Sequence, residues 1–221
     1  MKILKVALDN GHGSNYIGKW SPVLPNDLQT KDTDCIDNTG RFREYLFNRK
    51  IIKLLYDKLI SDGDIVQYLI VPELNDISLS ERKRRVNKIN PDICISMHAN
   101  AIGYGNTWEN AKGFSIWTSR GQTKSDYYAE IFYKKFTNFF EDDEYIKTKY
   151  GDNIKILRDY SDNDSDYEAN FAMLMVNCPA ILIETMFFTH LTDVQIMMDG
   201  YFQRNYVTSL YNGLCQMWNE L

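Results

Sequence analysis

The run Ala180-Ile181-Leu182-Ile183-Glu184 is apolar at four consecutive positions and ends on a carboxylate. A short, uninterrupted apolar run of this kind is typical of a strand that is buried on both faces of a parallel sheet. A second run, Asp92-Ile93-Cys94-Ile95-Ser96-Met97-His98, also ends on a polar side chain. These two stretches predict buried strands whose last residues have polar side chains suited to catalysis or metal binding.

Outward from these runs, apolar segments alternate with longer segments of helical periodicity. Strands are predicted over residues 3–9, 65–71, 92–98, 113–119, 153–157 and 180–184. Helices are predicted over residues 40–61, 79–89, 123–140, 167–176 and 193–218. This alternation favours an α/β fold, a three-layer sandwich with a twisted, mostly parallel sheet and helices on both faces. Because no internal repeat or low-complexity linker interrupts it, we expect residues 1–221 to form a single domain.

Composition and charge exclude several classes of protein. The chain has 221 residues, 44% of them hydrophobic, and a formal net charge of -5, which gives no reason to expect nucleic-acid binding. No segment approaches the roughly 20 apolar residues of a membrane helix, so membrane insertion is not expected. The first apolar run is interrupted by Lys5 and stopped by Asp9, and it predicts no secretory signal. The four cysteines show no paired spacing typical of metal or redox motifs.

Two stretches are predicted to be loops. Residues 14–39 have no sustained periodicity, and a loop of that length in a compact domain is more often functional than idle. Residues 159–166 are rich in Asp, and Asp162, Asp164 and Asp166 imitate the opening of a calcium-binding loop. Tyr167 stands where such a loop needs glycine, so we expect an acidic surface loop without calcium.

Two polar residues near the start of the chain occupy positions that a plain hydrophobic core would avoid. His12 follows the first predicted strand between two glycines, which allow a sharp turn and leave the imidazole accessible. Glu44 extends the apolar stripe of the helix 40–61 backwards, seven positions before Ile51. A buried carboxylate there needs a cation or several hydrogen bonds. The alternative is that His12 is an ordinary turn residue and that Glu44 reaches water.

Two further polar residues end predicted strands. His98 shares one face of its strand with Cys94 and Ser96, whose small side chains leave room beside the imidazole. Glu184 closes the apolar run 180–184, where burial favours its protonated form and suits a group that accepts and returns protons. The alternative for His98 is a hydrogen-bonded core histidine.

These four residues are expected to meet at one edge of the sheet. His12, His98 and Glu184 lie at or just after the C-terminal ends of strands, where ligands bind in open α/β sheets. Two imidazoles and one carboxylate form a ligand set typical of catalytic zinc, which leaves one coordination position to water. The pattern therefore predicts a zinc-dependent hydrolase. In it, His12, Glu44 and His98 bind Zn2+ and Glu184 is the catalytic base.

The same residues carry a resemblance to a known family. The chain resembles the zinc-dependent N-acetylmuramoyl-L-alanine amidases of bacterial wall-remodelling enzymes and phage endolysins. By this resemblance, His12, Glu44 and His98 match the zinc ligands, and Glu184 matches the catalytic glutamate. A further step, Gly18-Lys19-Trp20-Ser21-Pro22, resembles one seen in some phage-type members. The matching segments follow the family's order and are residues 8–13, 43–48, 96–101 and 183–187.

The resemblance implies a substrate and a reaction. It implies hydrolysis, in peptidoglycan, of the amide that joins the lactyl group of N-acetylmuramic acid to L-alanine. Asn48 and Asn100 are predicted to contact the substrate, and Arg82 is predicted to support the site. Met186 stands where the family usually has glycine and His190 where asparagine is common, and these departures bear on substrate fit rather than on catalysis.

Two other functions stay open at this level. A zinc peptidase or deacylase would use the same site on another amide, because the groove decides which carbonyl binds. A non-catalytic wall-binding module would keep the fold but not the chemical positions. Because the implied substrate lies outside the membrane, we expect a phage or prophage lysin that is made in the cytoplasm. A holin-type partner would release it to the wall, and no separate wall-binding domain is expected.

Overall fold

A six-stranded sheet lies at the centre of the protein in the computed structural model, which describes residues 2–16, 18–31, 33–161 and 164–220. The strands are β1 (Leu4–Asn10), β2 (Trp20–Val23), β3 (Arg41–Arg43), β4 (Ile65–Leu69), β5 (Ile93–Asn100), β6 (Ser115–Thr118), β7 (Tyr167–Glu168) and β8 (Ala180–Phe187). The helices are α1 (Glu44–Leu59), α2 (Leu79–Ile89), α3 (Lys124–Asp142), α4 (Glu144–Tyr150), α5 (Leu191–Met197) and α6 (Gly200–Glu220).

The order of strands in the main sheet is β4-β1-β5-β8-β6-β7. The first four are mutually parallel, β6 runs antiparallel to β8, and β7 is parallel to β6. Strands β2 and β3 form a separate two-stranded antiparallel sheet. The prediction of a mostly parallel sheet is confirmed. The C-terminal ends of β1, β5 and β8 therefore meet at one edge.

Alternating side chains of the central strands are buried on opposite faces of the sheet. One face packs against α1, α3 and α6, and it includes Val6, Ile95 and Ile183. The other face is smaller and packs against α2, with Ala7 and Cys94 as members. Both faces are thus covered by helices, as the three-layer prediction requires.

Stacked aromatic rings fill the larger face. A Cβ added at Gly213 of α6 would lie 2.5 Å from the ring of Phe132, so the absence of a side chain lets α6 approach α3 closely. Each fully buried phenylalanine contributes roughly 2–3 kcal/mol from apolar burial. The rings with no solvent exposure on this face include Phe114, Phe132, Phe136 and Phe202.

Several predicted boundaries are wrong. The predicted helix 167–176 is instead the short strand β7 followed by a single 3-10 turn, Ala172–Leu174. Tyr167 pairs with Trp117 on β6, and their rings stack at 4.8 Å, so edge pairing overrides the helical spacing. The predicted strand 153–157 is reduced to one bridge at Ile156.

Other predicted elements are divided differently. The helix predicted over 40–61 begins at Glu44, because residues 41–43 form β3 and pair with β2. Strand β2 itself lies within the stretch 14–39, which was predicted to be a loop. The helix predicted over 193–218 is two helices, α5 and α6. Asp199 separates them and accepts hydrogen bonds from the backbone of Tyr201 and Phe202.

The acidic segment is more buried than predicted. Asp166 is 1% exposed, and its Oδ2 accepts a hydrogen bond of 2.6 Å from the hydroxyl of Thr118. Carboxylate oxygens of Asp126, Asp164 and Asp166 lie within 4.8 Å of one another. The expectation of a surface loop is therefore wrong for Asp166, and Asp162 lies outside the described residues. In the described ranges, no helix is long and apolar enough to cross a bilayer.

Candidate active site

His12 is held in an unusual backbone conformation directly after β1. Its φ is 64°, a value that only a few per cent of residues other than glycine adopt. The neighbouring glycines serve close approach: a Cβ on Gly11 would lie 2.2 Å from the ring of His98. A Cβ on Gly13 would lie 2.1 Å from the backbone nitrogen of Asp76. These three residues, 11–13, form the histidine loop, which therefore packs closely against the ring of His98.

Glu44 is the first residue of α1 and is fully buried. Its backbone N–H donates to the carbonyl of Lys19, which joins the helix start to the long loop. Its Oε1 accepts a hydrogen bond of 3.2 Å from the backbone N–H of Ala99. The predicted alternative, that Glu44 reaches water, is excluded by this burial.

The side chains of His12, Glu44 and His98 converge. His98 Nδ1 lies 3.0 Å from Oε1 of Glu44, and His12 Nε2 lies 3.5 Å from Oε2. One donor atom from each of the three residues falls within a cluster 4.8 Å across. Two ligands about 2 Å from a tetrahedral ion lie roughly 3.3 Å apart, so these separations suit a shared metal.

One oxygen of Glu44 lacks a hydrogen bond. Oε2 is buried and accepts none from the residues that the structure describes, although it faces His12. An orphaned buried carboxylate oxygen is costly unless a cation compensates it. The three residues therefore fit a divalent metal ion by chemistry as well as by spacing.

The pKa values of Glu44 and His12 suit the binding of a metal. Burial raises the pKa of Glu44, but the hydrogen bond from His98 and the nearby cationic groups outweigh this and lower it to about 2. Burial lowers the pKa of His12 to about 4. A metal requires a deprotonated carboxylate and a neutral imidazole, and both residues meet that condition at neutral pH. Burial lowers the pKa of His98, but the hydrogen bond and charge of Glu44 raise it overall.

Glu184 stands beside this cluster without joining it. It pairs in register with His98 on the adjacent parallel strand, and it is partly exposed. Burial raises its pKa to about 7, with a further increase from the charge of Glu44 and opposing effects from His98 and Lys19. A carboxyl group that titrates near neutral pH is suited to general acid–base chemistry.

Comparison with known proteins identifies the fold and the family. A profile of the N-acetylmuramoyl-L-alanine amidase family matches residues 6–216. The chain belongs to this family. A search of the curated proteins found no significant match.

Solved structures of two amidases and of an endolysin domain share the fold. An N-acetylmuramoyl-L-alanine amidase from Clostridium difficile 630 is similar with a TM-score of 0.75 and 24% identity, over 99% of this chain and 98% of that chain. The amidase Ami1 from Mycobacterium smegmatis gives 0.70 and 15%, over 100% of both chains. The catalytic domain of the endolysin CD27L, which targets Clostridium difficile, gives 0.57 and 18%, over 96% and 97%.

A buried ion-pair network supports the histidine loop of this amidase. Arg82 from α2 is 2% exposed and forms ion pairs with Asp9 and Asp76. The same guanidinium donates to the carbonyl of Asn10, and Asp9 also accepts a 2.6 Å hydrogen bond from the hydroxyl of Ser96. Arg82 therefore ties the end of β1 to β5 and α2, in keeping with its predicted supporting role.

The two asparagines predicted to contact substrate differ in position. Asn48 is fully buried, and its amide donates to the carbonyl of Gly11 at 3.0 Å. Asn48 therefore supports the loop before His12, and its predicted substrate contact stays a prediction. Asn100 at the end of β5 is partly exposed, so a substrate contact there stays a prediction.

The two departures from the usual amidase pattern are not members of the cluster of His12, Glu44 and His98. Met186 is fully buried in the core. His190 precedes α5, where its Nδ1 accepts from the backbone N–H of Asp193 at 3.3 Å. Neither side chain belongs to the converging set.

Sequence reasoning assigned no role to Lys19, although the residue lies within the resembling step 18–22. Its Nζ lies 3.8 Å from Oε2 of Glu44. On the side of the site toward α2, a cavity of about 320 Å³ opens beside the two histidines. The residues that line this cavity include Tyr16, Ile77, Leu79 and Met173.

Proposed function

We propose that this amidase is zinc-dependent, with His12, Glu44 and His98 as the ligands and Glu184 as the catalytic base. Its reaction is hydrolysis of the amide between the lactyl group of N-acetylmuramic acid and L-alanine in peptidoglycan. The observation that carries the proposal is the convergence of ligand atoms from three residues, one of which, Glu44, has a buried oxygen without a hydrogen bond.

The donor set favours zinc. Two imidazoles with one carboxylate make a three-ligand set typical of catalytic zinc sites, which leave one position for water or substrate. When bound, zinc supplies Lewis acidity that polarises a carbonyl and lowers the pKa of water to about 7. The hydrogen bond from the backbone N–H of Ala99 orients the carboxylate of Glu44 as a ligand.

Glu184 moves the proton. Its pKa of about 7 leaves a large ionised fraction at neutral pH, which accepts a proton from the attacking water. The protonated side chain then donates to the nitrogen of L-alanine as the amide bond breaks. Partial exposure gives Glu184 access to solvent, while its register with His98 keeps it beside the ligand cluster.

Two experiments test this proposal. The purified protein should contain about one zinc ion per chain, lose activity with a chelator and regain it with zinc. Digested peptidoglycan should yield new N-terminal L-alanine without new reducing sugars. A zinc peptidase or deacylase would retain the metal dependence but release other termini, so the products separate it from the amidase. Activity in fully metal-free protein would overturn the zinc assignment.

We also propose that residues 1–221 form one catalytic domain and act as a phage or prophage lysin. Support comes from the resemblance of the step 18–22 to phage-type members and from the fold shared with an endolysin. Expression in a susceptible host should cause lysis only when a holin-type partner is co-expressed. Lysis by the amidase alone would overturn the requirement for that partner.

A further inference from the structure

Lys19 is anchored at the edge of the ligand cluster by its main chain. Its carbonyl oxygen accepts a hydrogen bond of 3.2 Å from the backbone N–H of Glu44, so the lysine is fixed to the first residue of α1. Its side chain is 36% exposed, and Nζ lies 6.0 Å from the centre of the Phe188 ring. The side chain therefore lies beside Glu44 and Phe188, and about a third of it stays open to solvent at the site.

The ammonium has hydrogen-bonding capacity to spare. Its distance of 3.8 Å from Oε2 of Glu44 is an ion pair, longer than the roughly 3.2 Å limit of a good hydrogen bond. Among the residues that the structure describes, none accepts a hydrogen bond from Nζ. An ammonium carries three donors, so they are available to an acceptor that approaches the exposed part of this side chain.

The position of the charge is specific. Oε2 of Glu44 lies 3.5 Å from Nε2 of His12 and 3.8 Å from Nζ of Lys19, so the ammonium is next to the cluster of ligand atoms. The charge of Lys19 also acts on Glu184. A carbonyl oxygen that approaches both the base and the ligand cluster therefore comes close to this positive charge.

We propose that Lys19 is a catalytic residue whose ammonium donates a hydrogen bond to the carbonyl oxygen of the scissile amide and stabilises the negative charge that develops there. This role rests on the proposed function. Fixed donors aimed at a developing oxyanion are among the largest contributions to enzymatic rate.

The step balances in atoms and electrons. The water oxygen bonds to the lactyl carbonyl carbon, the π pair moves onto the carbonyl oxygen, and Glu184 takes the proton that water loses. The C–N bond then breaks as the carbonyl re-forms, and Glu184 returns the proton to the nitrogen. Lys19 keeps its own proton throughout.

The competing explanation is that Lys19 only orients Glu44. The two explanations predict opposite effects on metal binding. If Lys19 holds Glu44 in place, its removal weakens the zinc site. If it acts on the substrate, its removal deletes a positive charge next to a cation site, and zinc binding is unchanged or tighter.

The test compares Lys19→Met, which keeps the aliphatic stem, with Lys19→Arg and with Lys134→Met on the exposed surface of α3. Zinc affinity is measured by competition with a chelator, and kcat and KM are measured on a soluble muramoyl peptide. We expect Lys19→Met to lower kcat by on the order of 100-fold, with KM and zinc affinity little changed. Lys19→Arg should restore part of kcat, and Lys134→Met should behave as the parent.

Three results would overturn the role: weaker zinc binding in Lys19→Met, a raised KM at unchanged kcat, or unaltered kinetics. Thermal unfolding of each variant checks that the fold is intact. If the parent protein itself neither binds zinc nor cleaves the muramoyl amide, the proposed function fails, and the role of Lys19 fails with it. If the parent is active but Lys19→Met is equally active, only the lysine role fails.

Discussion

His98 on β5 and Glu184 on β8 are direct register partners in neighbouring parallel strands. Adjacent strands lie about 4.8 Å apart, and partners in register project to the same face of the sheet. The proposed ligand and the proposed base are therefore held by the backbone ladder rather than by flexible loops. Rigid elements of this kind position catalytic groups more precisely than loops do.

This relationship makes Glu184→Gln a selective test of the base. The amide has the same shape but cannot accept a proton, so we expect kcat to fall by about 10²–10⁴-fold. Zinc content and thermal stability should stay at the parent level, because Glu184 is outside the ligand cluster. Glu141→Gln on the exposed end of α3 is the matched control. Turnover at the parent rate would show that another group carries the proton.

Gly11→Ala tests the packing between the histidine loop and His98. The added Cβ would lie 2.2 Å from the ring of His98, so the imidazole or the loop must shift. We expect zinc affinity to fall at least about tenfold, which is the lower range for disturbing groups that orient ligands. Gly63→Ala is the control, since nothing lies within 4 Å of its added Cβ. Equal zinc affinity in the two variants would contradict this account.

The sequence predicts that these side chains converge because parallel strands end at one edge. A histidine or glutamate that follows an apolar run lies at that edge without further information, and β1, β5 and β8 supplied three such residues. Glu44 required only a helical period to place it on the buried face. These inferences depend on local periodicity, which the chain keeps at its central elements.

Other features depend on contacts that local periodicity does not contain. The spacing of residues 167–176 suits a helix, yet pairing at the edge of the sheet decides their structure. Helical period places Asn48 on the inner face, but it does not show that the amide bonds to the carbonyl of Gly11. Lys19 reaches Glu44 through a long loop, so no sequence spacing connects the two.

Arg82→Met should be strongly destabilising. The guanidinium pairs with the buried Asp9, and removing it leaves that carboxylate without its cation. Breaking a buried ion pair on one side typically costs about 3–5 kcal/mol, measured as the free energy of unfolding in a denaturant titration. The double variant Asp9→Asn, Arg82→Met should recover part of this loss, because no unpaired charge remains. Arg84→Met, at an exposed position of the same helix, should change stability little. If Arg82→Met changed the free energy of unfolding as little as Arg84→Met does, the buried-pair argument would be contradicted.

Asp166 should make stability depend on pH. Burial raises its pKa to about 7, helped by the charges of Asp164 and Asp126 and opposed by the hydrogen bond from Thr118. The folded protein then holds a proton that the unfolded chain releases above its ordinary pKa of 3.8. Stability therefore falls as pH rises from about 4 to about 7, by at most about 1.4 kcal/mol per pH unit.

Asp166→Asn removes this titration while it keeps an acceptor for Thr118. As pH rises from 5 to 8, the parent's free energy of unfolding should fall by on the order of 2 kcal/mol more than that of the variant. Asp142→Asn, at the exposed end of α3, should show the same change in the free energy of unfolding between pH 5 and pH 8 as the parent. Because Asp166 is 1% exposed, salt should alter the effect little. A stability difference between parent and Asp166→Asn that is the same at both pH values would show that this carboxyl group is ionised throughout.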